Sequence, residues 1–139
     1  MLGDKPIDLR QIDAPSFIYG SREDHIVPWT SAYESVNILN RKKPQQNRFV
    51  LGAAGHIAGV INPPGKSRRQ YWVNDVQDGL DALSWLAGAK EVAGSWWPAW
   101  TEFLVSHSGK QVKARSKLGN AKFQPIEAAP GRYVKAKAA

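Results

Sequence analysis

The stretch that decides the fold is RFVLGAAGHIAGV, Arg48–Val60. Its apolar run Phe49–Leu51 predicts a short buried strand that ends at glycine, and His56 follows on the loop beyond that strand. The earlier stretch SFIYG, Ser16–Gly20, has the same layout and is followed by Asp24. An acid and a histidine therefore each lie just past the end of a predicted strand.

The segment between these two strands predicts a helix. Apolar residues recur at helical spacing over Thr30–Asn40, and Ser31 with Glu34 forms a candidate capping box. A strand, a helix and a strand of this length form a βαβ unit whose strands run parallel. If the strands are neighbours, their ends lie roughly 5 Å apart. Asp24 and His56 then emerge at the same edge of the sheet, where a hydrogen bond between them is feasible.

The rest of the chain predicts fewer regular elements. A long loop, a short extended piece and two helices are expected at Ile61–Arg69, Tyr71–Val73, Gly79–Ala87 and Trp96–Ser106. Asp78 and Ser95 are the candidate N-caps of the two helices. Leu80, Leu83 and Leu86 should share one side of the first helix. Two strands and three helices are too few for a doubly wound sheet, so we expect a C-terminal piece of a larger α/β protein, with an incomplete sheet.

Composition narrows the function classes. The chain has 139 residues, 42% of them hydrophobic, which is ordinary for one globular domain. It contains no cysteine, so a disulfide framework, a thiolate nucleophile and a cysteine zinc cluster are excluded. No apolar run approaches the roughly 20 residues that a membrane helix needs, and no secretory signal is recognisable. We therefore expect a cytoplasmic protein without a membrane span.

The net positive charge of the chain comes from its C-terminal segment. Residues 1–109 contain 11 basic and 11 acidic residues, whereas residues 110–139 carry eight Lys or Arg against Glu127 alone. We therefore divide the chain into a larger α/β portion, 1–109, and a basic tail, 110–139. A basic tail can bind nucleic acid or an anionic surface, but a solvated terminus is the favoured interpretation. Aromatic and aliphatic residues within the tail indicate that it is partly docked.

Most of the tryptophans fall inside the predicted helices. Those at helical spacing are Trp85, Trp96, Trp97 and Trp100. This spacing favours packing, in the core or against a partner, over a ligand platform. The sequence has no dinucleotide-binding or P-loop motif and no cluster with metal-ligand spacing, so we expect neither a cofactor nor a metal.

Asp24 and His56 are the candidate catalytic residues. A histidine that bonds a carboxylate through one nitrogen is held in a single tautomer and stabilised as the imidazolium, as a general base requires. In α/β-hydrolases the chain order is nucleophile, acid, histidine, and the last two occur here in that order. The alternative is that Asp24 caps the turn that follows it and His56 is a hydrogen-bonded loop histidine.

Residues around the pair are weaker candidates. His25 adjoins Asp24 and faces another way, so packing is favoured for it over catalysis. Asn62 follows the His56 loop and is a candidate for orienting substrate. A Gly-x-Ser/Cys-x-Gly nucleophile elbow would precede Asp24, and residues 1–23 contain none. This sequence therefore supplies at most two members of a triad.

Several strings of the sequence resemble the C-terminal part of class I polyhydroxyalkanoate (poly-3-hydroxybutyrate) synthases. They are Pro6–Leu9, Arg22–Trp29, Gly55–Pro64, Trp85–Ala89, Gly94–Trp100 and Ala129–Lys137. The most specific are GHIAGVINPP, at Gly55–Pro64, and PGRYVK, at Pro130–Lys135. The resemblance runs from about Lys5 to the end of the chain.

The resemblance implies an α/β-hydrolase-fold acyltransferase that polymerises (R)-3-hydroxyacyl-CoA into polyester and releases CoA. It implies that His56 deprotonates a cysteine nucleophile, and that Asp24 orients His56 and helps to activate the 3-hydroxyl of the incoming unit. Because the family's Gly-x-Cys-x-Gly elbow has no counterpart here, we expect this chain alone to be inactive. The implied partners are the acyl-CoA substrate, the growing polyester, the polyhydroxyalkanoate granule and, at full length, a second copy in a homodimer.

Two alternatives belong to other classes. The chain could be a non-catalytic module that binds a granule, a partner or, less favoured, nucleic acid through its Trp-rich helices and basic tail. It could also derive from a related α/β-hydrolase such as a depolymerase, in which case the upstream elbow would carry serine.

Overall fold

A computed structural model describes residues 3–66 and 69–137. The chain divides into two compact units, Met1–Ser108 and Gly109–Ala139. The first unit contains all the strands and α-helices of the described residues. The strands are β1 (Phe17–Ser21), β2 (Arg48–Gly52), β3 (Gln70–Val73) and β4 (Lys90–Ala93). The helices are α1 (Trp29–Tyr33), α2 (Ser35–Ile38), α3 (Ala82–Ala87) and α4 (Trp97–Ser106).

The strands form one mixed sheet in the order β1-β2-β3-β4. β1 and β2 are parallel neighbours, with Ser21 paired to Gly52 at their ends, so the predicted βαβ unit is confirmed. β3 and β4 continue the sheet in antiparallel fashion. The expected two-stranded parallel sheet is therefore wrong. β4 was missed because it is largely exposed and lies at a sheet edge, which weakens the apolar signal of a strand.

The sheet is covered on both faces. On one face, α1, α2 and α3 pack over β2 and bury an aromatic cluster, in which the ring centroid of Phe49 lies 5.1 Å from Tyr33 and 4.9 Å from Trp85. On the other face, α4 packs against β1, where the Trp96 ring centroid lies 4.4 Å from that of Tyr19. These contacts fix the positions of β1 and β2, and therefore of the loops that follow them.

The helix predicted over Thr30–Asn40 is two short helices, α1 and α2, which meet at Glu34. The capping box is wrong, because Pro28 is the N-cap of α1 and Ser31 lies inside that helix. Proline has no backbone N–H and a fixed φ that suits a helix start. The segment ends at Asn40, whose φ of 47° stops any continuation.

The two later helices begin further along the chain than predicted. Asp81, and not Asp78, caps α3, because its Oδ1 accepts the backbone N–H groups of Leu83 and Ser84 at 3.0 Å each. The expected leucine stripe is also wrong, since Leu83 is 68% exposed while Trp85 is fully buried. Helix α4 starts at Trp97, and the Ser95 hydroxyl accepts the Trp97 N–H at 3.1 Å.

The loop after His56 contains a short 3₁₀ turn, Pro64–Lys66, where only irregular structure was expected. Residues 67 and 68 of that predicted loop lie outside the described part of the chain. The second unit, Gly109–Ala139, is largely irregular, with a single 3₁₀ turn at Tyr133–Lys135 among its described residues. Its partial docking stays a prediction.

Candidate active site

The loops that follow β1 and β2 are held together by backbone hydrogen bonds beyond the strands themselves. Arg22 donates its N–H to the carbonyl of Gly52 at 2.8 Å, and Glu23 donates to Ala54 at 3.1 Å. The parallel pairing therefore continues past Gly52. It brings the Asp24 loop and the His56 loop side by side.

The two predicted site residues meet at this edge. The distance from Nδ1 of His56 to Oδ2 of Asp24 is 2.7 Å. Only 10% of the Asp24 side chain is exposed, whereas 45% of the His56 side chain is. The carboxylate is thus shielded from solvent and the imidazole stands partly free above it.

The second carboxylate oxygen of Asp24 binds its own loop. Oδ1 accepts the backbone N–H of Ile26 at 2.8 Å and that of Val27 at 3.0 Å. The Val27 N–H, followed by the hydrogen bonds from His56 and Ile26, lowers the pKa of the Asp24 carboxyl from its ordinary value of 3.8 to about 2, although burial opposes the shift. The turn-capping alternative and the pairing with His56 therefore both hold, one on each oxygen.

This arrangement determines what the imidazole can do. A carboxylate with so low a pKa has no proton to give at neutral pH, so Nδ1 of His56 is the donor in the shared hydrogen bond. The lone pair of the neutral ring is then on Nε2, the atom that can accept a proton. The contact between Asp24 and His56 has the geometry of the acid–histidine pair of a catalytic triad.

Exposed apolar side chains lie close to the pair in sequence. Ile26, two residues after Asp24, is 61% exposed, and Ile57, directly after His56, is 73% exposed. Val27, Val60 and Ile61 are exposed as well. An exposed apolar rim of this kind is typical of a surface that contacts an apolar ligand or another protein segment.

The His56 loop is anchored to the start of α4. Trp96 donates its indole N–H to the carbonyl of Gly59 at 3.1 Å, and Trp97 donates to Val60 at 3.0 Å. The spacing of these tryptophans indicated packing, which holds for Trp96. It carried no signal for the two hydrogen bonds, because an indole donor finds its acceptor only in the folded chain.

The weaker candidates, His25 and Asn62, differ in their exposure. His25 is exposed, and its expected packing role stays a prediction. Asn62 is 4% exposed and donates its side-chain N–H to the Gly94 carbonyl at 3.3 Å, while its own carbonyl accepts the Ser95 hydroxyl. Its amide therefore bonds the protein framework, and a role toward substrate stays a prediction. His107 is the C-cap of α4.

A cavity of about 730 Å³ lies at the opposite end of the central strands. Arg48, at the start of β2, lines it together with Val73 and Lys90, which pair where β3 ends and β4 begins. Its wall is mixed in charge, with Glu102 bonded to Arg48 at 3.2 Å. The Asp24–His56 pair lies outside this cavity, on an open surface.

Residues 3–66 and 69–137 contain no candidate metal centre and no candidate membrane span. No group of three or more potential ligand side chains is arranged to hold a metal ion in that part of the chain. None of the helices described there has both the length and the apolar character to cross a bilayer.

The site is an acid–histidine pair at the ends of adjacent parallel strands in an α/β protein. Sequence comparison gives the family. The chain is 57% identical over 133 residues to the poly(3-hydroxyalkanoate) polymerase subunit PhaC of Cupriavidus necator, covering 96% of this chain. It is 42% identical to a poly(3-hydroxyalkanoate) polymerase of Ectopseudomonas oleovorans over 93% of this chain, and 39% identical to that of Rhizobium etli over 96%. No family model matches the sequence.

The chain is therefore homologous to part of the poly(3-hydroxyalkanoate) polymerases, and the resemblance seen in the sequence is confirmed. It spans 22% of the length of the Cupriavidus necator and Ectopseudomonas oleovorans proteins and 20% of that from Rhizobium etli.

Proposed function

We propose that this chain supplies the acid–base pair of a poly(3-hydroxyalkanoate) polymerase, with His56 as the general base and Asp24 as the residue that orients it. The observation that carries the proposal is the 2.7 Å contact between Nδ1 of His56 and Oδ2 of Asp24 at the ends of two parallel strands. The names of the relatives support polyester synthesis as the reaction.

The chemistry needs a thiol that the 139 residues do not contain. Nε2 of His56 accepts the proton of that thiol, and the thiolate attacks the thioester carbonyl of (R)-3-hydroxyacyl-CoA. The carbon–sulfur bond to CoA then breaks, and the imidazolium returns its proton to the CoA thiolate. Asp24 stays ionised throughout and stabilises the imidazolium. The enzyme is left as an acyl thioester that a 3-hydroxyl group can attack.

The exposed apolar side chains beside the pair support a substrate of this chemical class. A 3-hydroxyacyl unit and its polyester present short alkyl groups, and Ile26, Ile57 and Ile61 are exposed apolar side chains on the two loops that carry the pair. Granule association and a homodimer are also part of the proposal, on the resemblance alone.

A hybrid enzyme tests the proposal. This chain replaces the 133 matching residues of the Cupriavidus necator polymerase, and release of CoA from (R)-3-hydroxybutyryl-CoA is measured. We expect His56→Ala to lower turnover by about 10³- to 10⁴-fold.

The matched control is His25→Ala, which removes an exposed histidine one residue from Asp24 and should change turnover less than about twofold. A hybrid whose His56→Ala form turns over at the wild-type rate would refute the assignment.

A further inference from the structure

The hydrogen bond from Glu23 to Ala54 ties the start of the His56 loop to the Asp24 loop, and the turn from Gly55 onward is held differently. The turn is closed by two backbone hydrogen bonds, from Gly59 to Gly55 at 2.8 Å and from Ile61 to Ile57 at 3.0 Å. These bonds shape the turn but do not tie it to the sheet. Among the described residues, the His56 side chain has one hydrogen-bond partner, Asp24, and 45% of that side chain is exposed.

The ties come from the residues around the start of α4. Trp96, which is 8% exposed, donates its indole N–H to Gly59 at 3.1 Å, and Trp97 donates its own to Val60 at 3.0 Å. The Ser95 hydroxyl donates to the carbonyl of Asn62. Three successive side chains thus bind three carbonyl groups on the C-terminal side of His56.

The loop also rests on a floor that leaves it little room. Gly59 lies over the hydrogen-bonded hydroxyl groups of Tyr19 and Ser21, which are 3.0 Å apart. A Cβ atom added at Gly59 would stand 2.7 Å from the Tyr19 hydroxyl and 2.8 Å from the carbonyl of Ala53. The Trp96 ring packs against the same tyrosine, with centroids 4.4 Å apart. The close packing below the loop and the hydrogen bond from Trp96 therefore both act on Gly59.

We propose that Ser95, Trp96 and Trp97, here called the α4 clamp, are positioning residues that hold the His56 loop so that Nδ1 meets Asp24. Trp96 is the central member, because its donor is buried and its acceptor lies three residues from His56. The clamp acts through the His56 loop, whose carbonyl groups its side chains bind. Its catalytic consequence rests on the proposed function, whereas its structural consequence does not.

The test compares Trp96→Phe with Trp85→Phe in the full 139-residue chain. Both residues are buried tryptophans, so each change removes a similar volume from the interior. Among the described residues, the Trp85 indole nitrogen has no hydrogen-bond partner, so its replacement costs packing alone. Only Trp96→Phe also removes the donor to the His56 loop.

Two readouts are followed in both variants. Hydrogen exchange at the amides of Gly59 and Ile61 reports opening of the loop, and we expect Trp96→Phe to speed it about five- to tenfold relative to Trp85→Phe, the size of one net hydrogen bond. Long-range ¹H–¹⁵N spectra of the neutral His56 ring report its tautomer. We expect the Nδ1–H form to dominate in the wild type and in Trp85→Phe, and to lose population in Trp96→Phe.

The milder variant Trp97→Phe covers the case in which Trp96→Phe does not fold, since the Trp97 side chain is only partly buried. It should speed exchange in the same loop by about two- to threefold. Equal exchange and an unchanged tautomer in the Trp96 or Trp97 variant and in Trp85→Phe would overturn the clamp. If the clamp variants behave as expected while His56→Ala leaves the hybrid enzyme active, the clamp stands and the proposed function fails.

Discussion

The loops after β1 and β2 deliver the two halves of one site by different means. The Asp24 loop is stabilised from within, because the carboxylate accepts the N–H groups of the residues two and three positions further along the chain. The His56 loop is fixed from outside, by side chains nearly forty residues away in sequence.

The difference has a physical reason. A buried carboxylate needs donors to compensate for its lost hydration, and the nearest donors are its own following amides. In the proposed function the His56 imidazole accepts and releases a proton, so it cannot be enclosed in the same way. Its loop has to be held by the backbone carbonyl groups, which leaves the ring free on its Nε2 side. The position of the acid is therefore a local property and that of the base a tertiary one.

The largest expected effect comes from a variant that keeps the capping role of Asp24 and removes its pairing with His56. In Asp24→Asn the amide oxygen can still accept from Ile26 and Val27, while its NH₂ group faces Nδ1 of His56 and favours the wrong tautomer. We expect turnover of the hybrid enzyme to fall by about 10⁴-fold, with a smaller fall in melting temperature than the loss of both oxygens would cause.

Asp24→Ala is the matched variant, because it removes the capping oxygen together with the pairing one. It should lose as much turnover as Asp24→Asn and should also melt at a lower temperature. Equal melting of the two variants would show that the local bonds of the Asp24 loop are not what stabilises it.

The second prediction concerns the His56 loop. Gly59→Ala should destabilise the chain by about 1–3 kcal/mol, because the new methyl group meets the Tyr19 hydroxyl and the Ala53 carbonyl below 3 Å and pushes the loop off its floor. Gly55→Ala is the control in the same loop, since its Cβ would lie 3.5 Å from the nearest atom, the carbonyl of Glu23. Urea unfolding of both variants measures the difference, and equal midpoints would contradict it.

The same contrast explains what the sequence could predict. Apolar runs that end at glycine located β1 and β2, and their parallel pairing placed Asp24 beside His56. The capping of α1 and α3 was misplaced because several polar residues near each helix start are equally good caps by type, and only the backbone path selects Pro28 and Asp81. The α4 clamp was not predicted at all, because a donor and a carbonyl nearly forty residues apart leave no periodic pattern.

The third prediction uses pH to test whether the ionised Asp24 carboxylate stabilises the fold. Asp24 has a folded pKa of about 2 against an ordinary value of 3.8. A lowered pKa contributes stability above 3.8, and that contribution is lost as the pH falls from 3.8 through about 2. Wild type should therefore lose more stability than Asp24→Asn across this window. Urea unfolding at stepped pH, with the Asp24 carboxyl ¹³C shift as a direct monitor, measures it, and parallel stability curves would contradict it.

The smallest expected effect concerns Trp97, which we expect to hold the His56 loop less strongly than Trp96 does. Trp97→Phe removes the donor to Val60, a residue that is 39% exposed, so water can take the place of the indole N–H. The loss should be about 0.5 kcal/mol, below that of Trp96→Phe, whose acceptor Gly59 is buried and would be left without a partner. Thermal unfolding of the two variants side by side gives the order. The reverse order would mean that the His56 loop is held mainly at its exposed end, and the fixed point of the base would then be Val60 and not Gly59.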